Sequence, residues 1–219
     1  MELHFDQIID SLPILFDGIW VTLTFTLLSA VIGFIWGTVL SLIRISTIKP
    51  LVWFAMAYTS IFRGTPLLVQ LFLIFFATPQ LTGYSISPLE AGVLTFGLNS
   101  AAYIAEIIRG GILAVDKGQR EAAVSLGIPY RKMMFSIILP QAFKTILPAL
   151  VNESIALIKE SSLVATIGVM DILRGAQVIQ NATFLSFEPY IIAAAIYYVI
   201  VMILTTLARL LERRMRRSD

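Results

Sequence analysis

Two ionisable side chains, Arg63 and Glu153, fall within long apolar stretches of this sequence. On insertion scales a charge at the centre of a bilayer costs about 2.5–3.5 kcal/mol, so each group must face protein, water or a ligand. In a functional role, a guanidinium binds an anion and a carboxylate binds a cation. In a structural role, Arg63 forms an internal ion pair with Glu106 or with Glu153, which meets the same desolvation requirement.

The residues that follow Arg63 predict a break in the helix that carries it. Pro66 lacks the backbone N–H that would continue the helical hydrogen bonds, and it disfavours helical geometry at Thr65. We therefore expect a kink just after Arg63, and broken helices expose backbone donors that can receive an anion. Gly64 and Thr65 are thus candidate anion-binding residues together with Arg63.

Other small and polar residues of the apolar stretches have two possible roles. Gly33 and Gly37 have a spacing that permits close helix approach. Asn99 and Ser100 either bind a ligand or bond across helices for a modest ~0.6 kcal/mol. Asn152, which precedes Glu153, is a further candidate for ligand binding.

These residues belong to a chain that is too apolar for a soluble domain. Of its 219 residues 58% are hydrophobic, whereas soluble domains contain about 45–50% apolar residues. Charge-free runs extend from Gly18 to Ile43, from Gly64 to Leu89 and from Pro189 to Ala208, each reaching the ~20 residues that a membrane-spanning helix needs. We predict an all-α membrane protein with five transmembrane helices, at about 17–43, 51–78, 89–108, 146–170 and 189–210.

The distribution of basic residues predicts the orientation of these helices. Lys and Arg are concentrated after the first, third and fifth helices, in segments that begin at Arg44, Arg109 and Arg209. By the positive-inside rule these segments lie in the cytoplasm, so the N-terminus lies outside and the C-terminus inside. The basic cluster 212–217 would hold the last helix at anionic membrane lipid headgroups, and no nucleic-acid partner is expected.

Catalytic and metal-binding motifs are missing from the sequence. It has no cysteine and one histidine, His4, which excludes disulfides, Cys-ligated metals and His-rich metal sites. It contains no H-E-x-x-H motif and no G-x-x-x-x-G-K-[ST] phosphate-binding loop. We therefore expect neither a cofactor nor enzymatic activity in this chain.

A polar segment after the third predicted helix carries a spaced motif. Its members are Glu121, Ala122, Ala123, Gly127, Ile137, Leu139 and Pro140. Residues from about 117 to 128 are expected to form a short helix that Gly127 ends, because glycine tolerates the left-handed cap conformation. The motif resembles the EAA signature of the membrane subunits of bacterial ABC importers. The resemblance implies that this helix docks on an ATP-binding subunit; the structural alternative is a solvated linker helix.

Three further runs narrow the resemblance to importers of polar amino acids, of the histidine, glutamine and arginine type. They are Arg63-Gly64-Thr65-Pro66, Asn99-Ser100-Ala101-Ala102-Tyr103-Ile104-Ala105-Glu106 and Lys159-Glu160-Ser161-Ser162-Leu163. The resemblance covers about 18–213 and implies a single permease domain over 1–219 with the five-helix fold of methionine importers. It also implies a bacterial cell membrane, a homodimer or a pair with a close homologue, two ATP-binding subunits that bind the ATP, and an extracytoplasmic solute-binding protein.

An amino-acid substrate assigns roles to the charged candidates. We expect Glu153 to receive the cationic side chain of arginine, lysine or histidine, and Arg63 or the backbone at Gly64 and Thr65 to receive the carboxylate. Glutamine or another polar amino acid is the alternative, which a neutral amide at position 153 would suit better. An ion-coupled secondary transporter with Glu153 or Glu106 as proton carrier would leave the EAA-like motif unexplained.

Overall fold

The computed structural model describes residues 3–216, which contain helices and no strand. The α-helices of this range are α1 (Leu12–Arg44), α2 (Lys49–Gly64), α3 (Leu67–Phe72), α4 (Thr78–Thr82), α5 (Pro88–Leu113), α6 (Lys117–Ser125), α7 (Tyr130–Met133), α8 (Leu139–Glu160), α9 (Ile172–Thr183) and α10 (Phe187–Arg216). Further helical segments are the 3₁₀ helices Phe5–Ser11 and Ser161–Ile167 and the π-helical turns Leu73–Ala77 and Met134–Ile138. Part of the basic cluster 212–217 lies outside the described residues.

Among the described helices, four stretches are long and apolar enough to cross a membrane, and the bent pair α2–α4 makes a fifth if it is one span. The four stretches are Phe5–Arg44, Pro88–Leu113, Tyr130–Ile167 and Phe187–Leu210. The prediction of an all-α membrane protein is confirmed. The count of five depends on the bent pair being a single span.

The second span is bent by 107° between Gly64 and Leu67. Thr65, which precedes Pro66, is extended (φ −122°, ψ 147°), as steric contact with the proline ring requires. The kink predicted just after Arg63 is therefore confirmed in position. The observed feature is a break rather than a kink, because α2 stops at Gly64 and α3 starts at Leu67 in a new direction.

Two features of the fourth span and of the segment after it differ from the sequence-based expectation or go beyond it. The fourth span begins at Tyr130 rather than near 146, because the chain before it is already helical and buries Met133, Met134 and Ile138. The stretch between the fourth and fifth spans contains the amphipathic helix α9, which the sequence analysis did not predict.

The carboxylate of Asp171 caps helix α9 by accepting a hydrogen bond from the Arg174 N–H at 2.8 Å. It also accepts one from the Tyr197 hydroxyl of α10 at 2.9 Å. Burial raises the pKa of the Asp171 carboxyl, and these two hydrogen bonds oppose the rise. The cap therefore fastens α9 to α10 at this end of the helix bundle.

Helix α1 packs along α5 more extensively than any other pair of described helices. A Cβ added at Gly33 would lie 3.0 Å from Ser100 Cβ, and one added at Gly37 would lie 2.8 Å from the Ala101 carbonyl oxygen. The two glycines thus allow the helices to approach closely, as their spacing predicted.

Apolar clusters lie at the two ends of this helix pair. At the α6 end, Ile112 and Ala123 pack with Met133 and Ile138. At the α9 end, Leu15 packs with Ile172 and other residues of α9 and α10. The helix ends that carry the EAA-like motif and helix α9 are therefore packed as separate cores.

We predict that Gly37→Ala destabilises the protein by about 1–3 kcal/mol, because the new methyl group would overlap a backbone oxygen that cannot move aside. The measurement is thermal unfolding of the purified protein in detergent. Gly110→Ala is the matched control, since a Cβ there meets nothing within 4 Å. Equal unfolding temperatures for the two variants would contradict this packing.

Candidate functional site

The break in the second span leaves carbonyls at the end of α2 without helical partners, among them Phe62 O. In an unbroken helix the N–H of residue 66 would donate to Phe62 O, but Pro66 has no N–H. Two side-chain amides replace it: Asn99 Nδ2 donates to Phe62 O at 3.0 Å and Gln70 Nε2 at 2.9 Å. The Phe62 carbonyl oxygen is therefore satisfied by side chains of α5 and α3.

The same two amides also bond to each other and to the residue before the proline. Asn99 Nδ2 donates to Gln70 Oε1 at 2.9 Å. Gln70 Nε2 donates to Thr65 Oγ1 at 2.8 Å and to Thr65 O at 3.1 Å. Thr65 Oγ1 in turn donates to Ile61 O at 2.9 Å, in place of a helical N–H. Both amides are buried, and the Asn99 amide nitrogen is directed at the break.

Gln70 was missed by the sequence analysis. Its signal was an amide within a charge-free apolar run, one turn after the proline that creates the orphan carbonyl. Of the sequence-predicted residues, Asn99 and Thr65 are brought together by this network. Gly64 lies beside it in open space, since an added Cβ there would meet nothing within 4 Å.

Three arginines from three helices surround the Glu106 carboxylate of α5. Arg44 of α1 donates to Glu106 Oε1, and Arg109 Nε and Nη2 donate to Oε2 at 3.0 and 2.7 Å. Arg63 Nη1 of α2 lies 3.9 Å from the same Oε2. Both carboxylate oxygens are thus satisfied without Arg63, and its expected internal pair with Glu106 is long.

The Arg63 side chain is 44% exposed, whereas that of Glu106 is 16% exposed. Its guanidinium lies over the Tyr103 ring at 5.4 Å, a cation–π distance. It also borders an open cavity of about 410 Å³ to which Arg44, Arg63 and Glu106 contribute the charged side chains. The charged lining has one positive charge in excess, which favours an anion.

Glu153 of α8 is half-buried against α5, where Ser100 Oγ donates to its Oε1 at 2.9 Å. Within the described part of the chain, no Lys or Arg forms a salt bridge with Glu153. The alternative of an Arg63–Glu153 ion pair is therefore not formed in this structure. Asn152, the neighbouring candidate, is exposed.

Glu153 of α8 and Arg63 of α2 contact neighbouring residues of α5. Glu153 contacts Ser100, and Arg63 lies over Tyr103, three residues further along the same helix. Residues three apart on a helix are surface neighbours. The structure therefore brings the two charges of opposite sign towards one region of α5.

Helix α6 carries the EAA-like motif and ends as predicted. Gly127 has φ 68°, its N–H donates to Val124 O at 2.9 Å, and the Ile128 N–H donates to Ala123 O at 2.9 Å. This is a Schellman cap, which satisfies carbonyls at the helix end and requires a left-handed residue. The helix itself, Lys117–Ser125, is slightly shorter than the expected range of about 117–128.

The two alanines of the motif have different environments. Ala123 is 2% exposed and packs in the cluster of the α6 end. Ala122 and Glu121 are exposed to solvent. One face of α6 is thus used for folding, and the other offers a charge and a small side chain to a partner.

Comparisons with known proteins agree with this architecture. The family model described as the inner membrane component of binding-protein-dependent transport systems matches residues 29–217. The arginine transport system permease protein ArtQ of Bacillus subtilis (strain 168) is 51% identical over 219 residues and is covered over 100% of both chains. GlnP of Rickettsia felis, a protein named for glutamine transport, is 46% identical over 199 residues, 91% of each chain.

Solved structures have the same fold. A chain from the crystal structure of an amino acid ABC transporter with histidines is 46% identical, with a TM-score of 0.94 over 98% of this chain and 100% of that chain. A chain of the MetNI methionine ABC transporter is 21% identical with a TM-score of 0.75 over 92% of this chain and 95% of that one, a likeness of fold. The chain belongs to the binding-protein-dependent transport family and is the inner-membrane permease component of a bacterial ABC amino-acid importer.

Proposed function

We propose that this permease imports basic amino acids, namely arginine, lysine and histidine. In this proposal Glu153 receives the cationic side chain. The observation that carries it is the partnering of Glu153, whose carboxylate accepts a hydrogen bond from neutral Ser100 and forms no salt bridge with the described cations. A carboxylate held within a membrane span without a cationic partner is a binding group for a cation.

The substrate carboxylate is assigned to Arg63 in the same proposal. Arg44 and Arg109 already satisfy Glu106, so the Arg63 guanidinium has hydrogen-bonding capacity for an anion. The backbone at Gly64 and Thr65 supports this less well, because these residues end α2 and a helix C-terminus presents carbonyl oxygens. An α-amino acid would thus lie along α5, with its carboxylate near Tyr103 and its side chain near Ser100.

The roles of the remaining candidates follow from their contacts. Ser100 orients the Glu153 carboxylate, and Asn152, which precedes Glu153 on α8, is exposed and open to a ligand. The Asn99 amide nitrogen is already bonded to Phe62 O and to Gln70 Oε1. Asn99 therefore supports the break in the second span rather than donating to the substrate.

Glutamine is the second candidate substrate, favoured by the 46% identity to GlnP of Rickettsia felis. The 51% identity to the arginine permease ArtQ of Bacillus subtilis favours the first candidate. The chemistry of position 153 supports the same choice, since an ionised carboxylate attracts a guanidinium more strongly than it attracts a neutral amide.

The assembly we propose has two copies of this chain, two ATP-binding subunits and an extracytoplasmic solute-binding protein. The ATP-binding subunits would dock on Glu121 and Ala122 of α6 and would carry out the hydrolysis of ATP. The α6 end would then face the cytoplasm and the α9 end the exterior, with the N-terminus outside. The concentration of basic residues after α1 and α5 supports this orientation.

Glu153→Gln is predicted to reduce ATP-dependent uptake of labelled arginine about tenfold or more, because it removes a charge-assisted bond to the substrate. The measurement uses proteoliposomes with the ATP-binding and solute-binding partners, and unlabelled glutamine as competitor. Glu90→Gln is the matched control, since a glutamine can replace the capping-box glutamate at the start of α5. Uptake that glutamine suppresses, with Glu153→Gln unaffected, would refute the cationic assignment.

Ala122→Leu is predicted to abolish copurification of the ATP-binding subunit and leave the fold intact, because Ala122 is exposed in this chain. Ala182→Leu, at an exposed position of α9, controls for the added apolar bulk. Copurification is measured by pull-down from detergent. Normal complex formation by Ala122→Leu would show that this face of α6 is not the docking surface.

A further inference from the structure

We propose that Gln70 and Asn99 form an amide clamp that fixes the bend of the second span and thereby positions Arg63 for the carboxylate of an amino-acid substrate. The contact between Arg63 and substrate rests on the proposed function. The identity of the substrate side chain does not enter, because the clamp acts at the end of the site that all α-amino acids share.

The clamp joins α2, α3 and α5 at the break in the second span. Phe62 O of α2 accepts from Gln70 of α3 at 2.9 Å and from Asn99 of α5 at 3.0 Å. The amides are 7% and 6% exposed, respectively, and bond to each other at 2.9 Å. Loss of both bonds would leave the Phe62 carbonyl without a donor, which costs more than a hydrogen bond contributes, and loss of one would leave it held by a single helix.

Arg63 is the residue next to the clamped carbonyl. Asn99 holds Phe62 O, and Tyr103, four residues further along α5, lies under the Arg63 guanidinium. Residues four apart lie on one helix face. One face of α5 therefore contacts both the Phe62 carbonyl, through Asn99, and the Arg63 guanidinium, through Tyr103. The position of the guanidinium thus depends on the position of the Phe62 carbonyl.

Other contacts supply only part of this restraint. The Tyr58 hydroxyl donates to Leu98 O at 2.8 Å and ties α2 to α5, but it does not reach α3. Around the break itself, Gly64 has open space and Pro66 is exposed. Leu71 of α3 packs against Phe96 of α5, so apolar contacts also restrain α3 on α5. Gln70 adds the hydrogen bonds that tie α3 to the end of α2, at Phe62 O and at Thr65.

The first experiment measures the bend directly and requires no substrate. The chain has no cysteine, so cysteines introduced at exposed Ser60 on α2 and Leu81 on α4 can carry spin labels. Their distance distribution should be narrow in the parent protein and broader in Gln70→Leu. The double variant Gln70→Asn with Asn99→Gln keeps two amides and the summed side-chain length, and it should restore a narrow distribution that either single change loses.

The second experiment measures equilibrium binding of labelled arginine and of labelled glutamine to the purified transporter complex. Gln70→Leu should weaken binding of whichever amino acid the parent binds about tenfold, as expected for a misplaced charge-assisted contact. The amide swap should recover most of that loss. Gln141→Leu is the matched control, because the Gln141 amide is exposed and donates to Ile137 O of its own helical segment.

Two results would overturn the proposal. A narrow spin-label distribution in Gln70→Leu would show that the bend does not depend on the clamp. A broadened distribution with unchanged binding would show that the bend does not position Arg63. Failure of the basic-amino-acid proposal gives a different result. Glutamine would then be the ligand that binds, and Gln70→Leu would still weaken its binding.

Discussion

Backbone carbonyls freed at the break in the second span, Phe62 O above all, constrain the architecture around it. Pro66 removes the N–H that would bond Phe62 O, and in hydrocarbon no water replaces it. An unsatisfied polar group there costs several kcal/mol, so the span can break only where protein supplies donors. Asn99 and Gln70 supply them, which requires α5 to lie against the break. The glycines of α1 permit that helix to pack closely on the same α5.

The charged groups of the spans divide into a structural set and a functional set. Glu106 is bonded by Arg44 and Arg109, and the hydrogen bonds of this arrangement join α1 to α5 and offset the cost of desolvating the charges. Arg63 and Glu153 are left with longer or neutral contacts on neighbouring positions of α5. Since intramembrane charges are costly when they are weakly paired, a ligand that carries the complementary charges best explains their presence. An α-amino acid with a basic side chain has that charge pattern.

Local chemistry made part of this structure predictable from the sequence. The apolar runs indicated the spans, Gly127 indicated the end of α6, and Pro66 indicated the break. Proline alone is not a sufficient signal, because Pro148 lies inside α8 without ending it. At Pro66 two amides from other helices satisfy the orphan carbonyl, and local sequence does not contain this tertiary contact.

The features that escaped prediction depend on contacts between distant segments. Helix α9 is amphipathic and buries Ile172 and Ala176 against α1 and α10, and this packing is not visible in the segment's own sequence. Ala122 and Ala123 are equivalent in sequence, but only packing against Met133 and Ile138 decides which one is buried. The pairing of Gln70 with Asn99 likewise joins residues 29 apart in the chain.

The central claim is that Arg63 and Glu153 bind the two ends of one basic amino acid. A structure of the transporter complex with bound arginine tests it most directly. The account predicts the arginine carboxylate against the Arg63 guanidinium and the arginine side chain against the Glu153 carboxylate. Arginine bound in the reverse direction, or at a site that contacts neither residue, would contradict it.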